Sequence, residues 1–428
     1  MKDYTELYES KKITVDEVLG KIKSGDNIYV GVDIAEPIPV LERIHEIADE
    51  VTDVCVHSVL GPSDYKFLHD PRGNIKLNPF FYGPYCRGAH DEGNVSLVPA
   101  NISTLFRDRN SVKPANIFIG VASPMDKHGY FNMGLCISHE MEALYKADIV
   151  ILEVNPNVPV VYGDAFVHIK NVDYVFETTR EMPLDPVYEA NEIQTTIGNY
   201  IADLIEDGST IQLGIGGIPD TAAKQLMNKN DLGVHSEMFT PSMIDLYEAG
   251  VITGRKKNID KYRMVCTLLV SRPEVFEFVD HNPAVHIGRG TYVNDPYVIM
   301  QNDKMVSINT AIDVDITGQV YSESIRGRQF SGTGGANDFA VGAHRSKGGK
   351  SIIAIPSTKK KGTISSIEPI IVGVVTIQRQ TVDYVVTEYG VAHLTGASVA
   401  ERIEALINIA HPKFRDELRD EAKRLKLW

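Results

Sequence analysis

A single carboxylate separates two otherwise similar stretches of this 428-residue chain. Val56-His57-Ser58-Val59 returns as Val234-His235-Ser236-Glu237, and upstream Ile22 to Val32 returns as Ile205 to Ile215 with both glycines in register. Only the second copy carries an ionisable group at the end of its repeated strand, so Glu237 is the first candidate for chemistry. The preceding turn, Gly214-Ile215-Gly216-Gly217-Ile218-Pro219, follows an apolar run and opens a helix for which Pro219 suits the first turn. Glycines there admit close backbone approach, and the helix start adds partial positive charge, so an anionic or thioester-bearing group is the natural guest. After Glu237 comes Met238-Phe239-Thr240-Pro241, where Thr240 can cap a helix that Pro241 begins and Gly250 ends. A carboxylate facing helix N-termini is favoured in its ionised form, which a nucleophile needs. A lone glutamate is more often a solvated loop residue or part of a capping network; the asymmetry with Val59 and the adjacent glycine turn shift Glu237 towards function.

Other motifs carry less. Phe330-Ser331-Gly332-Thr333-Gly334-Gly335-Ala336-Asn337-Asp338-Phe339 cannot form regular structure cheaply, and its amides could serve as an oxyanion hole or simply line an ordinary glycine-rich loop. Lys359-Lys360-Lys361 is a solvated run or a meeting point for phosphates. A Gly-x-Gly turn with an acidic residue about 20 positions on also suggests a dinucleotide fingerprint, but Pro219 stands where its third glycine belongs, which ranks a nicotinamide enzyme second. Asp126 and His128 fit a turn better than a metal site, and neither a His-Glu-x-x-His nor a Gly-x-Ser-x-Gly sequence occurs. His235, two residues before Glu237, reads as structural because its copy His57 has no neighbouring carboxylate.

The elements that must position these groups alternate. Residues 11–23 read as an amphipathic helix, Ile28 to Val32 as a strand, and Pro37 to Ile47 as a helix; strands follow at Val54 to Val59, Ile117 to Val121 and Ile149 to Val154, the last after a helix from Glu140 to Lys146. The cycle resumes with a helix from Ala190 to Glu206, a strand over 210–215, a helix over 219–228 and a strand over 232–236, with later strands at Ser351 to Ile355 and Tyr384 to Thr387. Such alternation predicts an α/β fold with parallel or mixed sheets in two similar open halves. Met182-Pro183-Leu184-Asp185-Pro186 is the linker candidate, giving domains 1–186 and 187–428.

Composition narrows the function. Hydrophobic content of 43% beside 23% charged residues is that of a globular protein, and no run approaches the roughly 18 apolar residues of a membrane span. The net charge of -14 argues against nucleic acid as a partner. The start, Met1-Lys2-Asp3-Tyr4-Thr5-Glu6, lacks the apolar stretch of a signal peptide, which makes the cytoplasm the expected compartment. Cys55, Cys86, Cys136 and Cys266 are too scattered for a disulfide framework or a zinc ribbon and read as buried thiols.

Together, Ile22 to Gly31, Ser123-Pro124 with His128-Gly129, Val158 to Asp164, Gly214 to Asp220, His235 to Met238, Gln329 to Phe339, Val385 to Gly390 and Ala405 to Pro412 resemble a known family nearly end to end. The chain is similar to class I coenzyme A transferases of the acetyl-CoA hydrolase/transferase group, most of all to those acting on 4-hydroxybutyrate and on butyrate with acetate. The resemblance implies that Glu237 is the catalytic glutamate and that Gly214, Ile215, Gly216, Gly217 and Ile218 touch CoA near its thiol end. It further places the Gly335 amide at the CoA or oxyanion region with Ser331 beside it, Lys360 on the CoA phosphates, and Asn294 near the glutamate. Acyl-CoA and short-chain carboxylates are the implied partners, a homodimer the implied assembly, and coenzyme A a substrate, with no permanently bound cofactor and no metal. The implied mechanism is ping-pong, through an acyl-glutamyl anhydride and a glutamyl-CoA thioester. An acyl-CoA hydrolase and a non-catalytic CoA-binding module are the remaining alternatives.

Overall fold

The computed structural model describes residues 3–186, 190–214, 216–325 and 327–427. Its contacts divide the chain into two units, Met1–Asp185 with Cys266–Tyr292, and Pro186–Val265 with Val293–Trp428. The first unit thus takes in a segment, 266–292, from well beyond the proline-flanked stretch at 182–186.

In the first unit, six strands form a wholly parallel sheet: β1 (Asn27–Val32), β2 (Val54–Val59), β3 (Ile75–Leu77), β4 (Ile117–Ala122), β5 (Ile149–Val154) and β6 (Tyr174–Glu177), in the order β3-β2-β1-β4-β5-β6. Every residue of β1, β2 and β4 is buried, which is why these strands are near-continuous apolar runs instead of alternating ones. Helix α1 (Glu140–Lys146) runs where the sequence puts it. Of the amphipathic stretch 11–23 only Val15–Leu19 is α-helix, opened by a reciprocal capping box of Thr14 and Glu17, and a separate helix, Thr5–Lys11, precedes it. Likewise Pro37 to Ile47 is a short helix, Ile38–Leu41, followed by a 3-10 turn, Ile44–Ile47.

The second unit repeats the plan with another six-stranded sheet. Its strands are β7 (Thr210–Leu213), β8 (Gly233–Val234), β9 (Met305–Thr310), β10 (Lys350–Ala354), β11 (Tyr384–Thr387) and β12 (Gly390–His393), in the order β8-β7-β9-β10-β11-β12. Only β12 is antiparallel to its neighbour. Among its helices are α2 (Glu192–Leu204), α3 (Gly217–Lys224), α4 (Pro241–Glu248), α5 (Ala336–Arg345) and α6 (Val399–Ile409). Asn191 and Gln194 cap α2 reciprocally, Gly250 at φ 76° follows the end of α4, and Ser398 with Glu401 caps α6. A core of Val314, Ile353, Val385, Ile403, Leu406 and other buried side chains fixes β10, β11 and α6 together.

The order of strands reverses about β7, and the carboxyl ends flanking such a reversal form the ligand crevice of open parallel sheets. Gly214, directly after β7, donates its amide to Ile308 O of β9 at 2.9 Å. A Cβ at this position would lie 3.1 Å from that carbonyl and 3.3 Å from Asn309 Oδ1, so the close strand approach favours glycine. All four cysteines are free and buried. Among the described residues, no helix is long and apolar enough to cross a membrane.

Candidate active site

Strand β8 stops at Val234, and the next three residues bring Glu237 into contact with two distant parts of the second unit. The His235 amide donates to Ile211 O at 3.2 Å and the Ser236 amide to Val265 O at 3.0 Å, so the segment is fixed on both sides although it is no longer regular strand. Glu237 keeps part of its surface open, while Asn294 is fully buried and donates from Nδ2 to Glu237 Oε2 at 2.9 Å. The Gly335 amide donates to the same carboxylate. Gly335 is the N-cap of α5, so the carboxylate sits at the start of a ten-residue helix and feels its positive end.

A side chain at position 335 would collide with this carboxylate. A Cβ there would stand 1.8 Å from Glu237 Oε2 and 2.3 Å from Asn294 Nδ2. The three residues are thus packed to contact, with the carboxylate held between an amide side chain and a backbone N–H. Burial among neighbouring atoms pushes the Glu237 carboxyl above its ordinary range, while the Asn294 and Gly335 hydrogen bonds pull the other way. The sequence led to an expectation that helix ends alone would favour the charged form; the net shift is upward because desolvation outweighs the two donors. A carboxylate held in this manner is more basic once ionised, and so a better nucleophile than a solvated one.

The surrounding sequence candidates take up separate tasks. Gly216 has φ 120° with open space where a Cβ would be, and Gly217 and Ile218, both buried, begin α3. Ile215 lies outside the described residues. Thr240 occupies the N-cap position of α4, but its hydroxyl pairs with Ser242 Oγ at 2.9 Å instead of a backbone amide. Ser331 is buried and donates its hydroxyl to Ser322 O at 2.6 Å, which ties down the glycine loop and leaves that proton unavailable to an oxyanion. Lys360 is exposed at φ 47° in a tight hairpin turn, and its neighbour Lys359 pairs with Asp313. Contacts therefore join Glu237, Asn294 and Gly335, whereas Gly214, Ser331 and Lys360 make theirs elsewhere in the unit.

Two supports escaped the sequence reading. Glu323, buried, accepts from the Phe330 and Ser331 amides through its carbonyl, at 2.7 and 3.1 Å, and from Thr333 Oγ1 through its carboxylate at 3.1 Å, bracing the loop that ends in Gly335. Gln212 and Asn309 exchange side-chain hydrogen bonds of 3.3 and 3.2 Å between β7 and β9, next to Gly214. A glutamine inside the apolar run Ile211-Gln212-Leu213 was the one visible signal for the second; nothing local marked the first.

Comparison with known proteins gives the family. The Acetyl-CoA hydrolase/transferase N-terminal domain matches residues 1–185, and the C-terminal domain of the same name matches 272–422. The chain belongs to the acetyl-CoA hydrolase/transferase family. It is 40% identical to the 4-hydroxybutyrate coenzyme A transferase of Clostridium kluyveri, over 99% of each chain. It is 35% identical to the butyryl-CoA:acetate CoA-transferase of Anaerostipes caccae, over 99% of this chain and 98% of that one. The crystal structure of RipA from Yersinia pestis superposes with a TM-score of 0.94 at 37% identity, covering 100% of both chains. The two-part α/β architecture expected from the sequence is the observed one, and the expected enzyme class, CoA-transferase, is that of these curated relatives.

Proposed function

We propose that this member of the family moves coenzyme A between short-chain acyl-CoA thioesters and carboxylates in a ping-pong cycle, with Glu237 as the covalent nucleophile. The observation that carries the reading is the Glu237 carboxylate pinned between Asn294 Nδ2 and the Gly335 amide at the head of α5. An ionised Glu237 oxygen attacks the thioester carbonyl; the C–S bond breaks, leaving an acyl-glutamyl anhydride and CoA thiolate. The thiolate then attacks the glutamyl carbonyl, expelling the donor carboxylate and leaving a glutamyl-CoA thioester. An acceptor carboxylate retraces both steps and leaves as the new acyl-CoA. Each attack places negative charge on a carbonyl oxygen, and backbone amides of the glycine loops are suited to receive it.

The turn from Gly214 to Ile218 and Lys360 complete the proposed CoA site, the turn near the thiol end and the lysine at the phosphates. Acids such as 4-hydroxybutyrate, butyrate and acetate are the proposed substrates, on the pattern of the two curated relatives. A homodimer is the proposed assembly. The test is an acyl-CoA incubated with and without acetate while free thiol is followed. Acetate-dependent formation of acetyl-CoA without net release of thiol supports transfer. Release of CoA at the same rate in the absence of acetate would make the protein a hydrolase instead.

A further inference from the structure

We propose that His235 is a positioning residue for the transfer: by holding the Val293 carbonyl it sets the backbone from which Asn294 grips Glu237. The inference rests on Glu237 being the nucleophile. His235 Nε2 lies 2.8 Å from Val293 O, and Asn294, the next residue, reaches Glu237 Oε2 at 2.9 Å. A carbonyl only accepts, so Nε2 carries the proton and Nδ1 of the neutral ring does not. Burial, with Lys257 nearby, pushes the ring down to about 4, which keeps it neutral at neutral pH. His235, Val293 and Asn294 are all completely buried. The contacts close a ring: Glu237 is two residues from His235 along the chain, His235 holds Val293, and Asn294 returns to the Glu237 carboxylate. Such a ring sets the carboxylate's direction from the same backbone segment that carries it.

The duplicated half supplies the comparison. His57 occupies the equivalent place and is as deeply buried, yet neither of its ring nitrogens bonds a backbone carbonyl as His235 does; the Asn78 backbone is its polar neighbour, and the ring stacks on Tyr29 with centroids 4.4 Å apart. Where the repeat has Val59 in place of the carboxylate, the histidine packs; where it has Glu237, the histidine is wired to the carboxylate's partner. Packing alone would require no such bond in either copy.

The test uses side chains of graded reach. A glutamine amide nitrogen can occupy the Nε2 position, whereas an asparagine nitrogen reaches only to Nδ1. His235→Gln should keep kcat within about fivefold, while His235→Asn and His235→Phe should lower it about 10–100-fold with KM for acyl-CoA little changed, as for a misplaced catalytic group. In an Asn294→Ala background, His235→Asn should cost almost nothing further, since its target is already gone. His57→Phe is the control and should leave kcat unchanged. Full activity of His235→Asn and His235→Phe, a His235→Gln as impaired as phenylalanine, or losses that simply add to that of Asn294→Ala would overturn the proposal. If the apolar variant fails to fold, nitrogen NMR of the wild-type ring still decides: the Nε2–H tautomer is required, and the Nδ1–H tautomer refutes it. Glu237→Ala with undiminished exchange would sink the nucleophile assignment itself, whatever the His235 variants do.

Discussion

Gly335→Ala isolates the contact on which the proposed active site turns. Gly335 has φ -92° and ψ 0°, a conformation open to alanine, so the substitution brings no backbone strain. The new methyl, however, would be placed 1.8 Å from Glu237 Oε2 and 2.3 Å from Asn294 Nδ2. Non-bonded atoms settle at roughly 3.5 Å, so the carboxylate must retreat by more than ~1 Å. Both obstructing atoms are the free ends of side chains, which can swing aside; the fold survives and the geometry does not. A displacement of this size costs on the order of 10²-fold. Loss of a preorganised amide donor costs about 10²–10³ in kcat, or about 2.7–4 kcal/mol. The two describe one event and do not add. We therefore predict a fall in kcat of about 10²–10³ with KM for acyl-CoA within about threefold and an unchanged unfolding midpoint. The assay is incorporation of radiolabelled acetate into acyl-CoA at saturating substrate, alongside chemical unfolding. A kcat within about fivefold of wild type would refute the reasoning, since a methyl cannot share that space with a productive carboxylate.

Three further outcomes follow from the same contacts. Asn294→Ala removes a donor to a charged group, worth about 1.5–3 kcal/mol, and leaves burial to push the Glu237 carboxyl higher; the acid limb of the kcat/KM profile should move up by about one to two pH units, and an unmoved limb would contradict the assigned hydrogen bond. His57 is pushed down to about 3 by burial, so an unfolded first unit takes up a proton below about 6.5 while the folded one resists, and stability falls with pH across that window. His57→Phe should accordingly cut the loss of stability between pH 7 and 5 by about 2 kcal/mol in urea unfolding, and equal losses in both proteins would show that the ring titrates normally. Lys360→Ala should raise KM for acyl-CoA about two- to fivefold at low salt, with no effect on a truncated thioester lacking the nucleotide; equal effects on both substrates would remove Lys360 from the phosphates.

How far the residues alone could lead depended on whether the deciding interaction was local. Glu140 to Lys146 and Tyr384 to Thr387 occur where the sequence puts them, since a helix or a buried parallel strand of that length is settled by its own periodicity. The break at Thr14 was also legible, as a Thr-x-x-Glu box overlooked in a longer amphipathic pattern. Glu237 stood out because the repeat provides its own control at Val59. Its partners came only through the family resemblance, since Asn294 is 57 positions away and is brought to it by chain crossovers that leave no periodic trace. The spacing of residues could not show which helix start would meet the carboxylate: the contact comes from Gly335 at α5, far along the chain from the Thr240-Pro241 turn that the local pattern advertised. The attachment of residues 266–292 to the first unit is equally non-local.

The central claim is that Glu237 bonds covalently during turnover, and trapping that bond tests it most directly. Protein incubated with acyl-CoA in the absence of acceptor acid, then reduced with borohydride and mapped by mass spectrometry, should show the Glu237 side chain converted to an alcohol, and intact protein before reduction should carry the mass of CoA. Turnover-competent protein that yields neither the adduct nor the reduced residue, or that forms the same adduct in Glu237→Ala, would contradict the account.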